Sequence, residues 1–594
     1  MGVPGFFAWL VRKYKTRKII IYEVDNDIDI LYIDANCLFH PQCFKVLDMN
    51  PDWEDSEKLQ KKMMKRIIEY IKFLIEYVNP TKKVYIAVDG VAPIAKINQQ
   101  RQRRFRSKLD NDVQRSIKEE FGQKLPNFWS NSAITPGTEF MEKLHMELIK
   151  FGKTYKDIEI IISSYHTPGE GEHKLFDDIR TRSTSHKDEN YAVYGLDADL
   201  IFLSLASAKK NIYLLREVVK LGKLGKERSD FLADKSDVVE EMNYVDIDVL
   251  HNVLKEELCT QLEEKMRFYP KSLNELNIVN DFIFVCYFLG NDFLPHLPSV
   301  NIKHNGLDVI LDCYISTLIF FRTPLLQNKE GHISINEIFL GMFIETLAEN
   351  EDEYFKYGLP KAKNRSKKFR CPSSDPCDRK LWDLEHLKFD IDDQVKLGIG
   401  TSDLWKSRYY EHYFHIKHET SGIIDSACEK YFEGLLWVTK YYFEGCSSWS
   451  WFYPFNHAPF LSDLSNYIKN KKMRMSEITF ELGKPLDPCT QLLVVLPSFS
   501  SYLLPDKYKQ LVTSSVSPII DLYPIDFRVD LINKDMHWEG IAELPYLDID
   551  RIVDATNGIK LTVKENIRNT VEKYWTNKKF SKKKVTNKRI KNKK

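Results

Sequence analysis

Two short phrases place carboxylates in pairs. Pro168-Gly169-Glu170-Gly171-Glu172-His173-Lys174 sets two glutamates around one glycine, and Gly195-Leu196-Asp197-Ala198-Asp199-Leu200 sets two aspartates around one alanine. The residue inside each pair is too small to hold the acids apart. Four carboxylates this close repel one another strongly unless a divalent cation lies among them. The chemistry they imply is metal-assisted work on a phosphate.

More acids of the same kind follow. Asp34 closes the apolar run Ile30-Leu31-Tyr32-Ile33, and Asp89 closes Val84-Tyr85-Ile86-Ala87-Val88. Asp197 closes Tyr191-Ala192-Val193-Tyr194-Gly195-Leu196. Asp292 ends the run from Phe282 to Asn291, whose periodicity leaves helix and strand both open. Taken singly, each Asp suits a helix N-cap, and Glu170 and Glu172 suit a solvated glycine-rich turn. Seven acids beside apolar runs are harder to explain that way, because burying unpaired carboxylates is costly without cations. Asp34, Asp89, Glu170, Glu172, Asp197, Asp199 and Asp292 are therefore the expected metal ligands and catalytic residues.

Carboxylates without paired cysteines select Mg²⁺ or Mn²⁺ over Zn²⁺. Two such ions about 3.5–4 Å apart activate a water and stabilise the leaving oxygen in phosphodiester hydrolysis. Nucleotide triphosphate hydrolysis has little support, since Gly222-Lys223-Leu224-Gly225-Lys226-Glu227 only loosely echoes a P-loop.

The elements that must position these acids are strands. The runs ending near Asp34, Asp89 and Asp197 are short, nearly continuous and rich in β-branched or aromatic residues, as in buried parallel strands. Open α/β sheets bind ligands outside the carboxyl ends of their strands. After Asp89, Pro93 suits the first turn of a helix that runs on through Arg106. Lys96, Gln100, Arg103 and Arg104 then share one helical face. That face suits a grip on a terminal phosphate, with Arg supplying forked donors. A solvated basic helix, or general contact with a nucleic-acid backbone, fits the spacing equally well.

The chain resembles the Xrn family of 5′-to-3′ exoribonucleases. The likeness rests on Met1 to Leu10, Asp34-Ala35-Asn36 with His40, the Asp89 to Arg106 segment, Thr135-Pro136-Gly137-Thr138 and both acidic phrases. Gly290 to Pro298, Ser448-Trp449-Ser450-Trp451-Phe452-Tyr453-Pro454 with His457-Ala458-Pro459, and Gly483 to Pro524 extend it. The resemblance implies a PIN or 5′-nuclease-like core: a mixed, mainly parallel central sheet flanked by helices, with a helix-rich second region packed against it. It implies that the seven acids bind two Mg²⁺ ions and that Lys96, Gln100, Arg103 and Arg104 hold a 5′-monophosphate. His40 and either Trp449 or Trp451, with Trp451 preferred, would stack on the leading bases, although most tryptophans are core residues. The segment Pro4-Gly5-Phe6-Phe7 would form a lid where duplex is melted. The implied activity is processive release of mononucleotides from single-stranded RNA, by a monomer served by accessory decapping or activating proteins. The alternatives are a structure-specific 5′ nuclease acting on DNA and a non-catalytic RNA-binding scaffold. Ile94 and Ala8 stand where the family usually has basic residues, and no Cys-x-x-Cys zinc knuckle occurs.

Composition bounds the rest. With 594 residues, 43% of them hydrophobic, the chain can bury a large core. The expected organisation is a catalytic α/β domain at 1–350, a linker or insertion at 351–400, a second region at 401–556 that completes the site, and a basic disordered tail at 557–594. Ten Lys or Arg and no acid occur from Lys578 onward, so the formal charge of +1 hides an acidic body. The ten cysteines show no disulfide framework, which suits a reducing, intracellular compartment, with nucleus and cytoplasm both open. The apolar run at 282–289 is too short for a membrane span, so no membrane association is expected.

Overall fold

The β-branched and aromatic runs form strands, and their alternate residues pack on opposite faces. The computed structural model describes residues 5–125, 127–183, 185–218, 240–266, 277–329, 331–416, 421–471 and 474–578. Its strands are β1 (Ile20–Ile21), β2 (Ile30–Asp34), β3 (Lys83–Ala87), β4 (Glu159–Ser163), β5 (Tyr191–Tyr194), β6 (Ile212–Glu217) and β7 (Met242–Asp246). Two small pairs follow, β8 (Leu326–Lys329) with β9 (His332–Ile335) and β10 (Val529–Asp530) with β11 (Ile541–Ala542), and then β12 (Trp575–Thr576).

Eight strands form the main sheet, in the order β1-β7-β6-β5-β2-β3-β4-β12. The five in the middle are parallel, with Ile30 opposite both Lys83 and Tyr191 and Asp34 opposite Ala87. Outside them β7, β1 and β12 run antiparallel to their neighbours. From β2 the chain builds outward through β3 and β4, then returns to place β5 and β6 on the other side. The strand order therefore reverses between β2 and β5, the crevice where open α/β sheets bind ligands.

Seven helices serve this sheet directly: α1 (Phe6–Lys13), α2 (Ala35–Met49), α3 (Ser56–Val78), α4 (Ile94–Glu120), α5 (Glu139–Gly152), α6 (Gly171–Ser183) and α7 (Asp199–Ala206). Leu31, Ile33, Val84 and Ile86 pack on one face with α2, α3 and α5. Ile30, Tyr32, Tyr85 and Val193 pack on the other with α6, α7 and the later helices Ile278–Cys286, Gly306–Phe321 and Ser421–Phe443. That second core runs unbroken from Phe6 to Met475, so the first and second regions are fused through it. A third core joins α4 to the segment between Cys489 and Ile552.

Several expectations change. The run before Asp292 is helical, Ile278–Cys286, followed by a 3-10 turn at Tyr287–Leu289. Lys361 to Lys368, expected as a linker, lies in the helix Leu359–Lys368. Its Lys, Ala and Arg residues favour helix, and Pro360 sits in the first turn, where it is tolerated. The tail is shorter than expected, because Val563–Arg568 is a helix and β12 pairs with β4. Trp575 explains this: its ring packs against Gly152 and Ile162, and burial of an aromatic outweighs the surrounding polar sequence. Residues 579–594 lie outside the described residues, as do Met1 to Pro4 and Gly222 to Glu227. Phe6 is fully buried against Phe202 and Phe282, and Phe7 lies under the Arg216 guanidinium at 3.8 Å, so these two lid residues are anchored. Ile94 is buried in the third core, which accounts for an apolar residue there. All ten cysteines are free thiols. Among the described residues no helix is long and apolar enough to cross a membrane.

Candidate active site

The acids meet at the carboxyl ends of β2, β3 and β5. Asp34 occupies the N-cap position of α2 but makes no capping hydrogen bond. By contrast, Asp55 and Asp246 do cap their helices, accepting from the backbone N–H of Lys58 and Val249. The capping role therefore does not account for Asp34. Its carboxylate accepts instead from the Cys37 thiol at 2.9 Å. Asp89 is set by its backbone N–H, which donates to Asn36 Oδ1 at 3.1 Å, and its own Oδ1 accepts the Gly171 N–H at 2.7 Å.

Gly171 is the hinge of this geometry. A Cβ there would stand 2.8 Å from Asp34 Oδ1 and 3.3 Å from Asp89 Oδ1. The start of α6 is thus pressed between carboxylates from two neighbouring strands, and a side chain would push them apart. Glu170 and Glu172 flank it at 5% and 7% exposure, which excludes a solvated turn. Asp199 opens α7 and is also buried. Asp197 lies in the loop just before it.

Electrostatics show that the acids share one field. Burial, with Asp89 and then Asp197 nearby, pushes Asp34 up to about 8. Burial and the charge of Asp292 push Asp199 up to about 6. Glu172 is raised well above the usual range by burial, Asp199, Glu170 and Asp197. Lys96 brings a cation among them. Lys96 Nζ lies 2.5 Å from Glu170 Oε1 and 2.7 Å from Asp292 Oδ2. Despite their burial, this pairing holds Asp292 well below the usual carboxylate range and Lys96 well above the usual ammonium range.

Three participants carry no signal strong enough to single them out in the sequence. His173 brings a ring nitrogen to Glu170 and Glu172, and one ligand atom from each lies within 4.8 Å of the others. Its ring stacks on Tyr441 at 3.6 Å, and its Nδ1 has no hydrogen-bond partner among the described residues. The Tyr441 hydroxyl donates to Glu170 Oε2 at 2.8 Å, and Tyr442 donates to Asp199 Oδ1 at 2.7 Å. Both tyrosines come from the helix Ser421–Phe443, far away in the chain.

The basic face of α4 divides in two. Lys96 is turned to the acids, whereas Arg103 and Arg104 make no ion pair among the described residues. Burial and Arg103 bring Arg104 down to about 9, and among the described residues its Nε has no partner, nor has Gln100 Oε1. His40, on α2, feels both arginines; burial and their charge bring it down to about 4, so its ring is neutral at working pH. The two tryptophans differ as well. Trp451 stacks on Trp437 at 5.4 Å and donates its indole N–H to Glu433, as a structural tryptophan does. Trp449 is half-buried, its carbonyl accepts the N–H of Ile94 at the start of α4, and it has no ring neighbour among the described residues.

The site thus sets an acid cluster with a paired lysine beside two arginines that make no ion pair among the described residues. The XRN 5′-3′ exonuclease N-terminus matches residues 1–218, and the Xrn1 helical domain matches residues 273–374 and 373–594. The chain belongs to the Xrn family of 5′-to-3′ exoribonucleases. Its Xrn relatives include 5′-3′ exoribonuclease 2 of Arabidopsis thaliana, 30% identical over 96% of this chain and 68% of that protein. The 5′-3′ exoribonuclease 2 homolog of Drosophila melanogaster is 32% identical over 93% of this chain and 70% of its own length. The 5′-3′ exoribonuclease 1 of Homo sapiens is 32% identical over 96% of this chain, which spans only 35% of that protein. Membership of the Xrn family makes the chain a nuclease.

Proposed function

We propose that the chain removes nucleotides one at a time, processively, from single-stranded RNA that begins with a 5′-monophosphate. Two Mg²⁺ ions, for which Mn²⁺ can substitute, would be held by Asp34, Asp89, Glu170, Glu172, Asp197, Asp199 and Asp292. The observation that carries this reading is the split of α4. Within two turns it gives one cation to the acids and leaves two arginines for an anion.

The donor set fits hard divalent ions. Five of the acids are buried, the Gly171 cradle brings Asp34 and Asp89 together, and Lys96 neutralises only part of the charge. The raised proton affinity of Asp34, Glu172 and Asp199 is the mark of a site short of positive charge. The chemistry supplied by bound ions is an activated water and stabilisation of the departing oxygen. The protein's own residues do the rest. Arg103, Arg104 and Gln100 would dock the 5′ phosphate, and forked guanidinium donors suit its three oxygens. Neutral His40 would stack on the leading base, with Trp449 better placed than Trp451 to face it. Lys96 holds Glu170 and Asp292 in place, and Tyr441 and Tyr442 fix the rotamers of Glu170 and Asp199.

End-labelled RNAs with 5′-monophosphate, 5′-triphosphate or 5′-hydroxyl ends test this, in Mg²⁺ and in EDTA. Mononucleotides should appear rapidly only from the first, and only in Mg²⁺. Equal decay of all three would sink the phosphate pocket, and decay in EDTA would sink the metal site. The same sequence as DNA, lacking the 2′-hydroxyl, should be cut poorly.

A further inference from the structure

Behind Asp292, on the face of α4 turned away from Arg104, lies a cavity of about 360 Å³, within the range of small-molecule sites. It is walled by α4 on one side and by the segments around Tyr453–His457 and Ile532–Ala542 on the other. Asp292 and Arg103 line it too, so it opens directly off the reacting centre.

Four of its buried polar atoms lack partners among the described residues. Gln99 Oε1, Gln102 Oε1, His457 Nε2 and Asn533 Nδ2 are buried with no hydrogen bond. His457 Nε2 comes only within 3.7 Å of Asp530 Oδ2. The Lys534 ammonium has neither an ion pair nor a hydrogen bond among the described residues. The four buried atoms are costly to leave unsatisfied, and clustered around one cavity with a half-buried ammonium they define what would satisfy them. The walls between them are aromatic. The His457 ring stacks on Tyr413 at 3.7 Å, and Phe455 and Trp538 line the same space. The fitting ligand has an anionic group for Lys534, a flat ring for the aromatic wall, and edge donors for the glutamine oxygens.

We propose that this cavity binds the nucleoside 5′-monophosphate released at each turn of the reaction and is its way out. The inference rests on the exonuclease reading above. A processive enzyme keeps RNA in its front entrance, so a product that left by the front would have to displace its own substrate. A rear site joined through Asp292 and Arg103 removes that conflict. Gln99 and Gln102 offer acceptors to base amino groups, and Lys534 offers a donor to phosphate.

The test uses adenosine 5′-monophosphate as probe and the full chain in EDTA, with calorimetry as readout. The nucleotide should bind, and should still bind when a 5′-phosphorylated RNA occupies the front. Adenosine without phosphate should bind more weakly. Lys534→Met and, separately, Gln102→Leu should each weaken binding about tenfold, the loss of one hydrogen bond to a charged or unsatisfied group. Both variants should melt as the parent does; if Lys534→Met does not, Gln102→Leu alone decides. In Mg²⁺ both should release the first nucleotide at the parent rate but run more slowly along a long RNA. Displacement of the probe by RNA, or affinity unchanged in the folded variants, would overturn the cavity assignment even if RNA hydrolysis is intact. Absence of hydrolysis in the parent would overturn the exonuclease reading and leave the binding result to be judged by itself.

Discussion

The two halves of the site solve opposite electrostatic problems with residues from the same helix. In the acid half, burial and mutual repulsion raise Asp34, Glu172 and Asp199, and Lys96, paired directly with Glu170 and Asp292, offsets this only in part. In the basic half, the charge of Arg103 adds to burial in lowering Arg104, both arginines lower His40, and neither arginine makes an ion pair among the described residues. Like charges held close together repel until a ligand of opposite charge arrives. Each half is thus incomplete in a way that names its ligand: cations for one, a phosphate for the other. Keeping Lys96 with the acids prevents the two halves from neutralising each other directly.

Breaking the acid half should cost the most. Asp199→Asn preserves the shape and the Tyr442 contact but removes a metal-binding charge. Turnover should fall about 10³-fold or more, equivalent to about 4 kcal/mol of barrier. RNA affinity measured by anisotropy in EDTA should stay near the parent value. If single-turnover cleavage in Mg²⁺ survives at even a tenth of the parent rate, Asp199 is not a ligand.

The basic half should show the reverse pattern. Arg104→Met removes charge-assisted hydrogen bonds worth about 1.5–3 kcal/mol, so preference for a 5′-monophosphate over a 5′-hydroxyl should drop about 10- to 100-fold. The Mg²⁺ concentration giving half-maximal rate should not move. A change in metal requirement instead of end preference would erase the distinction between the halves.

Stability against pH separates them again. In EDTA, Asp34 and Asp199 have folded values of about 8 and about 6, above the unfolded value near 4. The folded state therefore holds more protons than the unfolded state between these values, and its stability falls as pH rises from about 4 to about 8. The melting temperature in EDTA should drop across that window. Mg²⁺ competes with those protons, so the rise in melting temperature it causes should grow with pH. A flat profile in EDTA would mean that the acids do not share a field.

Much of this arrangement is legible in the order of residues alone. The two acidic phrases, the strand-terminal aspartates and the spacing of Lys96, Gln100, Arg103 and Arg104 rest on local periodicity, which the fold respects. Legibility ends where partners are distant in the chain. That Lys96 leaves its row to pair with Glu170 and Asp292 depends on how three separate segments dock. Tyr441 and Tyr442 look like any helix aromatics until the second core folds onto the sheet. The same blindness misplaces the start of the tail, because Trp575 finds its groove at Gly152 only in three dimensions.

The smallest change tests the finest feature, the tyrosine pair that one half has and the other lacks. The Tyr442 hydroxyl donates to the Asp199 carboxylate, and that bond lowers the proton affinity which burial raises. Tyr442→Phe removes one hydrogen bond to a charged group, worth about 1.5–3 kcal/mol, while keeping the ring packed. Asp199 should become more basic, so a proton should hold it against Mg²⁺ to higher pH. The Mg²⁺ requirement should rise severalfold near pH 6, where the competition is sharpest, and converge on the parent value near pH 8. The preference for a 5′-monophosphate should be untouched throughout, because Tyr442 does not reach the arginines. A requirement shifted equally at both pH values would show that the hydroxyl acts on geometry alone and not on the charge of Asp199.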